Sequence, residues 1–118
     1  MIMLLRWVTR IGGLVALVLG LMISRSPVLG LHMALGTIVA AALAIIAAWA
    51  LAKGVRVPAA IAGLIWAAAT VYVGRMQMQW LTGGNHWIVE VGHALLGVGA
   101  IGLAEMLAGG ITKRESLR

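Results

Sequence analysis

The sequence predicts an all-α integral membrane protein, a four-helix bundle built from two similar helical hairpins. Three observations lead to this fold class. Hydrophobic residues make up 63% of the 118 residues and charged residues only 10%, with a mean hydropathy of +1.07, which is too apolar for a small soluble domain. A transmembrane helix needs about 20 apolar residues, and four such stretches nearly use up the chain. Two of the stretches carry the same short motif, which indicates an internal repeat.

We expect the four spans at about residues 5–24, 28–52, 58–79 and 87–108, within a single transmembrane domain that covers residues 1–118. A signal peptide would have an apolar stretch like that of the first span, but Ser24-Arg25-Ser26-Pro27 is not a small-residue cleavage site. We therefore predict an uncleaved first helix. Pro58 suits the first turn of the third helix. The fourth helix is expected to end near Gly109-Gly110, and the polar tail 112–118 to be frayed.

The net charge of +6 has a simple source in a membrane protein. Basic residues concentrate in loops on the cytoplasmic side of a membrane. On the side away from the two termini this chain has only two basic residues, Arg25 and Arg75. The side that holds both termini carries the rest: Arg6, Arg10, Lys53, Arg56, Lys113, Arg114 and Arg118. We predict a protein of a bacterial inner membrane with cytoplasmic N- and C-termini, and we expect no nucleic acid as a partner.

Several function classes are excluded by composition. The chain has no cysteine, which removes disulfides, thiolate-bound zinc, iron–sulfur clusters and thiol catalysis. It also lacks a nucleotide-binding loop, a hydrolytic triad and a pair of carboxylates, so we do not expect an autonomous hydrolase.

The strongest motif is His-x-x-Leu-Gly, which occurs once from His32 to Gly36 and again from His93 to Gly97. Residues four apart share a face of a helix, so each histidine lies one turn from a glycine. An imidazole beside a bare helix surface suits a flat macrocycle with a central metal. Two facing helices could hold one haem between two axial imidazoles. We predict His32 and His93 as metal ligands and Gly36 and Gly97 as cofactor-binding residues.

The first and third helices also have similar sequences. Residues 11–15 align with residues 61–65 at an offset of 50, and the same offset aligns Arg25 with Arg75. Two hairpins of one topology imply a pseudo-two-fold axis along the membrane normal. This axis would place His32 and His93 at matching depths on opposing helices, in the half of the membrane away from the termini.

Four further residues belong to the predicted cofactor site. Arg25 and Arg75 could pair with haem propionates or extend to lipid headgroups. Glu90 shares a helix face with His86 and His93, so it could accept a hydrogen bond from an imidazole or pair with an arginine. His86 lies at the interface, as a neighbour of a propionate or as a surface residue rather than as a ligand.

Simpler interpretations exist for several residues. A lone intramembrane histidine can hydrogen-bond a neighbouring helix, and glycines most often allow close helix packing. Met76 and Met78, with His86 nearby, could bind copper(I), although methionines at an interface more often face lipid or a partner. Glu105 is expected to pair with Lys53 or Arg56.

Four spans, with histidines on helices two and four and a glycine one turn after each, resemble the small four-helix b-type membrane cytochromes, including the superoxide-oxidase and ferric-reductase-like groups. The resemblance covers the bundle in architecture and the two pentapeptides in motif. It implies one haem b per chain, His32 and His93 as axial ligands, and electron exchange at the outer face with a quinol or a redox partner protein. The chain would then be an oxidoreductase subunit. Many of those proteins stack two haems, whereas the inner half of this bundle has no histidine.

Two alternatives stay open at the level of sequence. The glycine-rich helices suit a non-catalytic structural or assembly subunit of a larger membrane complex, or a homo-oligomer. The histidines could instead each bind the magnesium of a chlorophyll-type pigment. An absorption spectrum separates the three interpretations.

Overall fold

A computed structural model describes residues 1–22 and 26–118, and their regular structure consists of helices with no strand. Four helices, α1 to α4, follow one another as Ile2–Leu21, Ser26–Ala52, Val57–Met76 and His86–Ser116. A single 3₁₀ turn, Gln77–Gln79, continues α3. All four helices are long and apolar enough to cross a membrane. The predicted fold class, an all-α integral membrane bundle, is confirmed.

The C-terminal end of α4 differs from the prediction. The helix passes through Gly109-Gly110 and continues to Ser116, so the expected end at the glycine pair is wrong. Gly110 packs against the turn between α2 and α3, where a Cβ atom would lie only 2.8 Å from Val55 Cγ1. This close approach requires glycine, and the contact supports the last turns of the helix.

The turn between α2 and α3 is set by local chemistry. Gly54 has a positive φ of 62°, and the amides of Gly54 and Val55 donate to the carbonyls of Leu51 and Ala50. This is the Schellman pattern, which satisfies the last carbonyls of a helix. Val55 is buried and anchors the turn. Pro58 then lies in the first turn of α3, where its missing N–H costs nothing.

α1 contains one π-helical segment, Val8–Gly12. A π turn leaves local backbone carbonyls without their usual partners. Thr9 is fully buried, and its hydroxyl donates to the Arg6 carbonyl at 2.8 Å. The segment places Arg6 and Arg10 so that both side chains reach α4.

The four helices form a diamond in cross-section. α2 and α4 pack directly against each other along the centre, and α1 and α3 each pack against both of them. Among the described residues α1 and α3 make no contact with one another. Equivalent helices of the two hairpins therefore occupy equivalent places, as the predicted pseudo-two-fold axis requires.

The hydrophobic core lies in the half of the bundle that holds the termini. It includes Leu43, Ile46, Ala104, Leu107 and Ile111, which are almost completely buried. In the other half, no residue of segments 28–38 and 86–99 is fully buried. These two segments carry all three histidines.

The register between α1 and α3 is not the one predicted from the aliphatic alignment. Gly13 packs against Ile101 of α4, whereas its aligned partner Gly63 packs against Leu107. Ile101 and Leu107 are separated by about 9 Å along the helix. The match of residues 11–15 with residues 61–65 is therefore a similarity of composition rather than of position.

Candidate functional site

His32 of α2 and His93 of α4 face each other across the centre of the bundle. Their ring centroids are 6.0 Å apart and the ring planes are inclined at 77°. Both residues are half-buried. The structure thus brings together the two histidines that the repeated motif predicted as a pair.

Each imidazole packs against a glycine of the preceding helix in its own hairpin. A Cβ atom on Gly20 of α1 would lie 3.2 Å from His32 Cε1, and one on Gly74 of α3 would lie 2.9 Å from His93 Cε1. The two glycines therefore create the space that the rings occupy. This shared contact relates the two hairpins more closely than the aliphatic alignment does.

The tautomer of His32 is fixed by the backbone of α1. Its Nδ1 atom is 2.7 Å from the carbonyl oxygen of Ala16, and because a carbonyl can only accept, Nδ1 carries the hydrogen. The neutral ring then has its lone pair on Nε2. A metal-binding histidine typically donates its other N–H in this way, to a backbone carbonyl or a carboxylate.

His93 is held differently. Its Nδ1 atom is buried and has no hydrogen-bond partner among the described residues. The Cε1–Nε2 edge of the ring lies against Gly74, so ligation of a shared metal requires this ring to rotate toward His32. An unpaired buried ring nitrogen is costly, and a hydrogen-bond partner at Nδ1 would relieve that cost.

The two motif glycines do not have equal surroundings. A Cβ atom on Gly36 would meet nothing within 4 Å, whereas one on Gly97 would lie 3.4 Å from Leu17 Cδ2. Gly36 therefore leaves a bare helix surface one turn from His32. Gly97 accommodates a side chain of α1.

The remaining predicted site residues lie at the periphery. Arg75 is exposed, and Arg25 lies outside the described residues. Glu90 has 61% of its side chain exposed, and its carboxylate is 3.7 Å from His86 Nε2. The other ring nitrogen of His86 is 3.1 Å from the Trp80 carbonyl. The structure thus places Glu90 beside His86, and His93 donates no hydrogen bond to Glu90.

A metal site built from side chains alone is not found in the part of the chain that the structure describes, because no three His, Cys, Asp or Glu residues converge there. Two imidazoles, His32 and His93, are the histidines that the structure brings together in the bundle.

One interhelical contact near the histidines was not predicted. The Trp66 indole N–H donates to the Leu96 carbonyl at 2.8 Å, and Gly99 leaves the space into which the indole fits. A buried indole N–H needs a hydrogen-bond acceptor. The sequence features that could have predicted this contact are a tryptophan within one span and a glycine within a neighbouring span. The contact fixes α3 against α4 below His93.

A second polar cluster lies toward the other end of the bundle. Arg6 Nε donates to Glu105 Oε2 at 2.8 Å, and Arg10 donates to both carboxylate oxygens, from Nη2 at 2.8 Å and from Nε. The expected pairing of Glu105 with Lys53 or Arg56 is therefore wrong. The physical reason is that α1 packs beside α4 and its arginines point toward it, a relation that the sequence does not reveal.

An apolar groove opens to the outside of the bundle between α2 and α3. It is a shallow, open groove of about 310 Å³ with eight lining residues, most of them alanine: Thr37, Ala40, Ala41, Ala44, Leu64, Ala67, Ala68 and Val71. Its floor consists of methyl groups, and the hydroxyl of Thr37 is bonded to its own helix.

Comparison with known proteins gives no relative: no family model, no curated protein and no solved structure matches the chain.

Proposed function

We propose that this protein binds one haem b through His32 and His93 and transfers electrons within a membrane. The observation that carries the proposal is the 6.0 Å separation of the two ring centroids. Metal–imidazole bonds of about 2 Å put the centroids of two axial rings about 6 Å apart. The observed spacing supports the proposal, which also requires His93 to rotate so that its Nε2 atom points at the iron.

The hydrogen bonding of the two rings supports the same proposal. The Ala16 carbonyl holds His32 in the tautomer whose Nε2 is free to bind a metal. The buried Nδ1 of His93 has no competing partner among the residues described. One ring is thus already prepared for ligation, and the other is not committed to a different interaction.

The distribution of packing also favours a large apolar ligand at this level. The histidine-bearing segments 28–38 and 86–99 bury no residue completely, in contrast to the alanine- and leucine-rich half below them. A flat apolar group between α2 and α4 would pack against these segments.

His32 and His93 would hold the haem in a water-poor setting that tunes its potential, and bound haem would supply one-electron chemistry. The excess of Lys and Arg at the end that holds the termini favours a cytoplasmic location for that end. The histidines would then lie on the outer side. A quinol or a redox partner protein would exchange electrons there, because one haem cannot cover the roughly 30 Å of hydrocarbon.

Titration of the purified protein with haem tests this proposal. We expect saturation at one equivalent, with bands of a paired-imidazole complex, and loss of those bands in His32→Ala and His93→Ala. His86→Ala is the matched control, because its ring hydrogen-bonds the Trp80 backbone carbonyl and lies 3.7 Å from the Glu90 carboxylate instead. A spectrum that is unchanged in His93→Ala would contradict the proposal. Extraction of a chlorin from the protein would show that the bound pigment is of the chlorophyll type and not haem.

A second candidate is a structural subunit of a larger membrane complex. The groove lined by Ala40, Ala44 and Ala67 favours it, because small residues let the backbones of two membrane helices approach closely. Isolation of the pigment-free protein with stoichiometric partner chains would support this candidate over the haem protein.

A further inference from the structure

The Arg6–Arg10–Glu105 cluster has no part in the proposed electron carrier. Glu105 lies twelve residues beyond His93 on α4, a separation of about 18 Å along the helix. Two guanidinium groups share one carboxylate, so the cluster carries one unbalanced positive charge. Arg6 donates to Glu105 only through Nε, and its two Nη atoms have no acceptor among the described residues. These N–H groups remain available to an anion.

The cluster lies at the edge of the lipid-facing side of α1. Trp7, Ile11, Leu14 and Val18 recur at spacings of four and three residues and are all exposed, which makes one continuous apolar stripe along the helix. Arg6 and Arg10 lie between this stripe and the buried side of α1, with side-chain exposures of 24% and 35%. Both arginine side chains are therefore partly exposed at the edge of this stripe.

We propose that Arg6 and Arg10 bind the phosphate of an anionic phospholipid whose acyl chain lies along the Trp7–Val18 stripe. Guanidinium groups bind phosphate through paired N–H donors. An extra cation at the border of the hydrocarbon layer is stabilised by an anion, because water there is scarce. This proposal does not depend on the binding of haem.

Glu105 acts as a positioning residue in this site. It binds Arg10 through both oxygens and Arg6 through one, and the Arg10 guanidinium also lies 5.2 Å from the centre of the Trp7 ring. Both contacts restrict the arginine side chains before a ligand arrives, which lowers the entropy cost of binding. Because Arg10 is committed to Glu105, Arg6 is the residue with most donors to offer.

The apolar stripe favours a lipid over free phosphate as the source of the anion. The stripe starts at Trp7, which contacts the Arg10 guanidinium, and runs from there along α1 to Val18. A phospholipid with its headgroup at the arginines and its acyl chain along the stripe would follow the same order. Zwitterionic phospholipids carry the same phosphate, but their cationic group would be repelled by the unbalanced charge of the cluster. We therefore expect a preference for phosphatidylglycerol over phosphatidylcholine.

Native mass spectrometry of the protein in detergent measures this preference. With phosphatidylglycerol added, we expect Arg6→Gln to bind it about fivefold more weakly, the effect of removing one basic residue at a charged membrane surface. Lys113→Gln removes the same charge from an exposed site outside the cluster and should leave binding unchanged. Arg6→Lys should retain most of the binding, because it keeps the charge next to Glu105.

Three results would overturn the proposal. The first is equal affinity of the wild-type protein for phosphatidylcholine and phosphatidylglycerol. The second is an affinity of Arg6→Gln for phosphatidylglycerol equal to that of the wild type. The third is displacement of the lipid by inorganic phosphate at millimolar concentration, which would assign the cluster to a free anion. The first and third measurements use the wild-type chain, so they hold even if Arg6→Gln fails to fold.

Discussion

At the scale of single residues, glycines on the flanking helices fix where the two histidines lie. Gly20 and Gly74 each leave room for one imidazole ring, and a Cβ atom at either position would crowd the ring that packs there. The motif glycines, Gly36 and Gly97, have no such contact with their own histidines. The ring positions therefore depend on residues of α1 and α3 rather than on the motif alone.

Gly74→Ala should displace His93 from its contact with Gly74 and change the affinity for haem, because ligation depends on where this ring lies. The new methyl group would lie 2.9 Å from His93 Cε1, and because an imidazole can turn away, we expect the fold to persist. Gly92→Ala is the matched control, since nothing lies within 4 Å of its Cβ position. Haem titration with circular dichroism checks both variants, and equal affinity for haem in the two would contradict this account of Gly74.

Gly99→Ala should destabilise the contact between α3 and α4. The added methyl group would overlap the Trp66 indole and disrupt its 2.8 Å hydrogen bond to the Leu96 carbonyl. Overpacking of this kind costs about 1–3 kcal/mol. Gly102→Ala, which meets nothing within 4 Å, should be neutral or stabilising by up to about 1 kcal/mol. Thermal unfolding in detergent gives both values, and similar changes in the two variants would count against the role of Gly99.

At the scale of helices, α1 is tied to α4 by polar contacts as well as by packing. Both arginines of its first half bind Glu105; Arg6 lies just before the π-helical segment Val8–Gly12 and Arg10 within it. The sequence permitted this pairing, because Arg6 and Arg10 are four residues apart and Glu105 is, with Glu115, one of two acidic residues in the inner part of α4. It could not be derived, since the neighbours of α1 depend on how the hairpins pack.

Glu105→Ala should loosen α1 from α4. Two guanidinium groups would lose their shared acceptor in an environment with little water, and the Tm in detergent should fall. Glu115→Ala removes the same charge at an exposed position and should leave the Tm unchanged. A Tm for Glu105→Ala equal to that of Glu115→Ala would show that the cluster does not hold the two helices together.

At the scale of the whole molecule, the sequence was sufficient for the class of fold and for the histidine pair. Four apolar stretches and the repeated pentapeptide predicted four helices and the meeting of His32 with His93, because hydropathy and helix periodicity act locally. The end of α4 was missed because its continuation beyond Gly110 depends on a contact with Val55. The partner of Glu105 and the register of α1 against α3 were missed for the same reason, as both are set by tertiary packing.

The proposed orientation predicts which loops face the outside of the cell. The chain has no cysteine, so single cysteines can be introduced without interference. Thr82→Cys lies in the exposed loop between α3 and α4, and Ser116→Cys at the end of α4. A membrane-impermeant maleimide should label Thr82→Cys in intact cells and Ser116→Cys only after permeabilisation. The opposite labelling pattern would show that the protein has the inverse orientation, with the histidines on the cytoplasmic side.

Near-infrared magnetic circular dichroism of the oxidised, haem-loaded protein tests the central claim most directly, because it identifies the two axial ligands of the iron. We predict the signal of two neutral imidazoles in the wild type, and its replacement by that of a single imidazole in both His32→Ala and His93→Ala. A wild-type signal from any other ligand pair, or one that survives either substitution, would show that the two histidines do not share one metal.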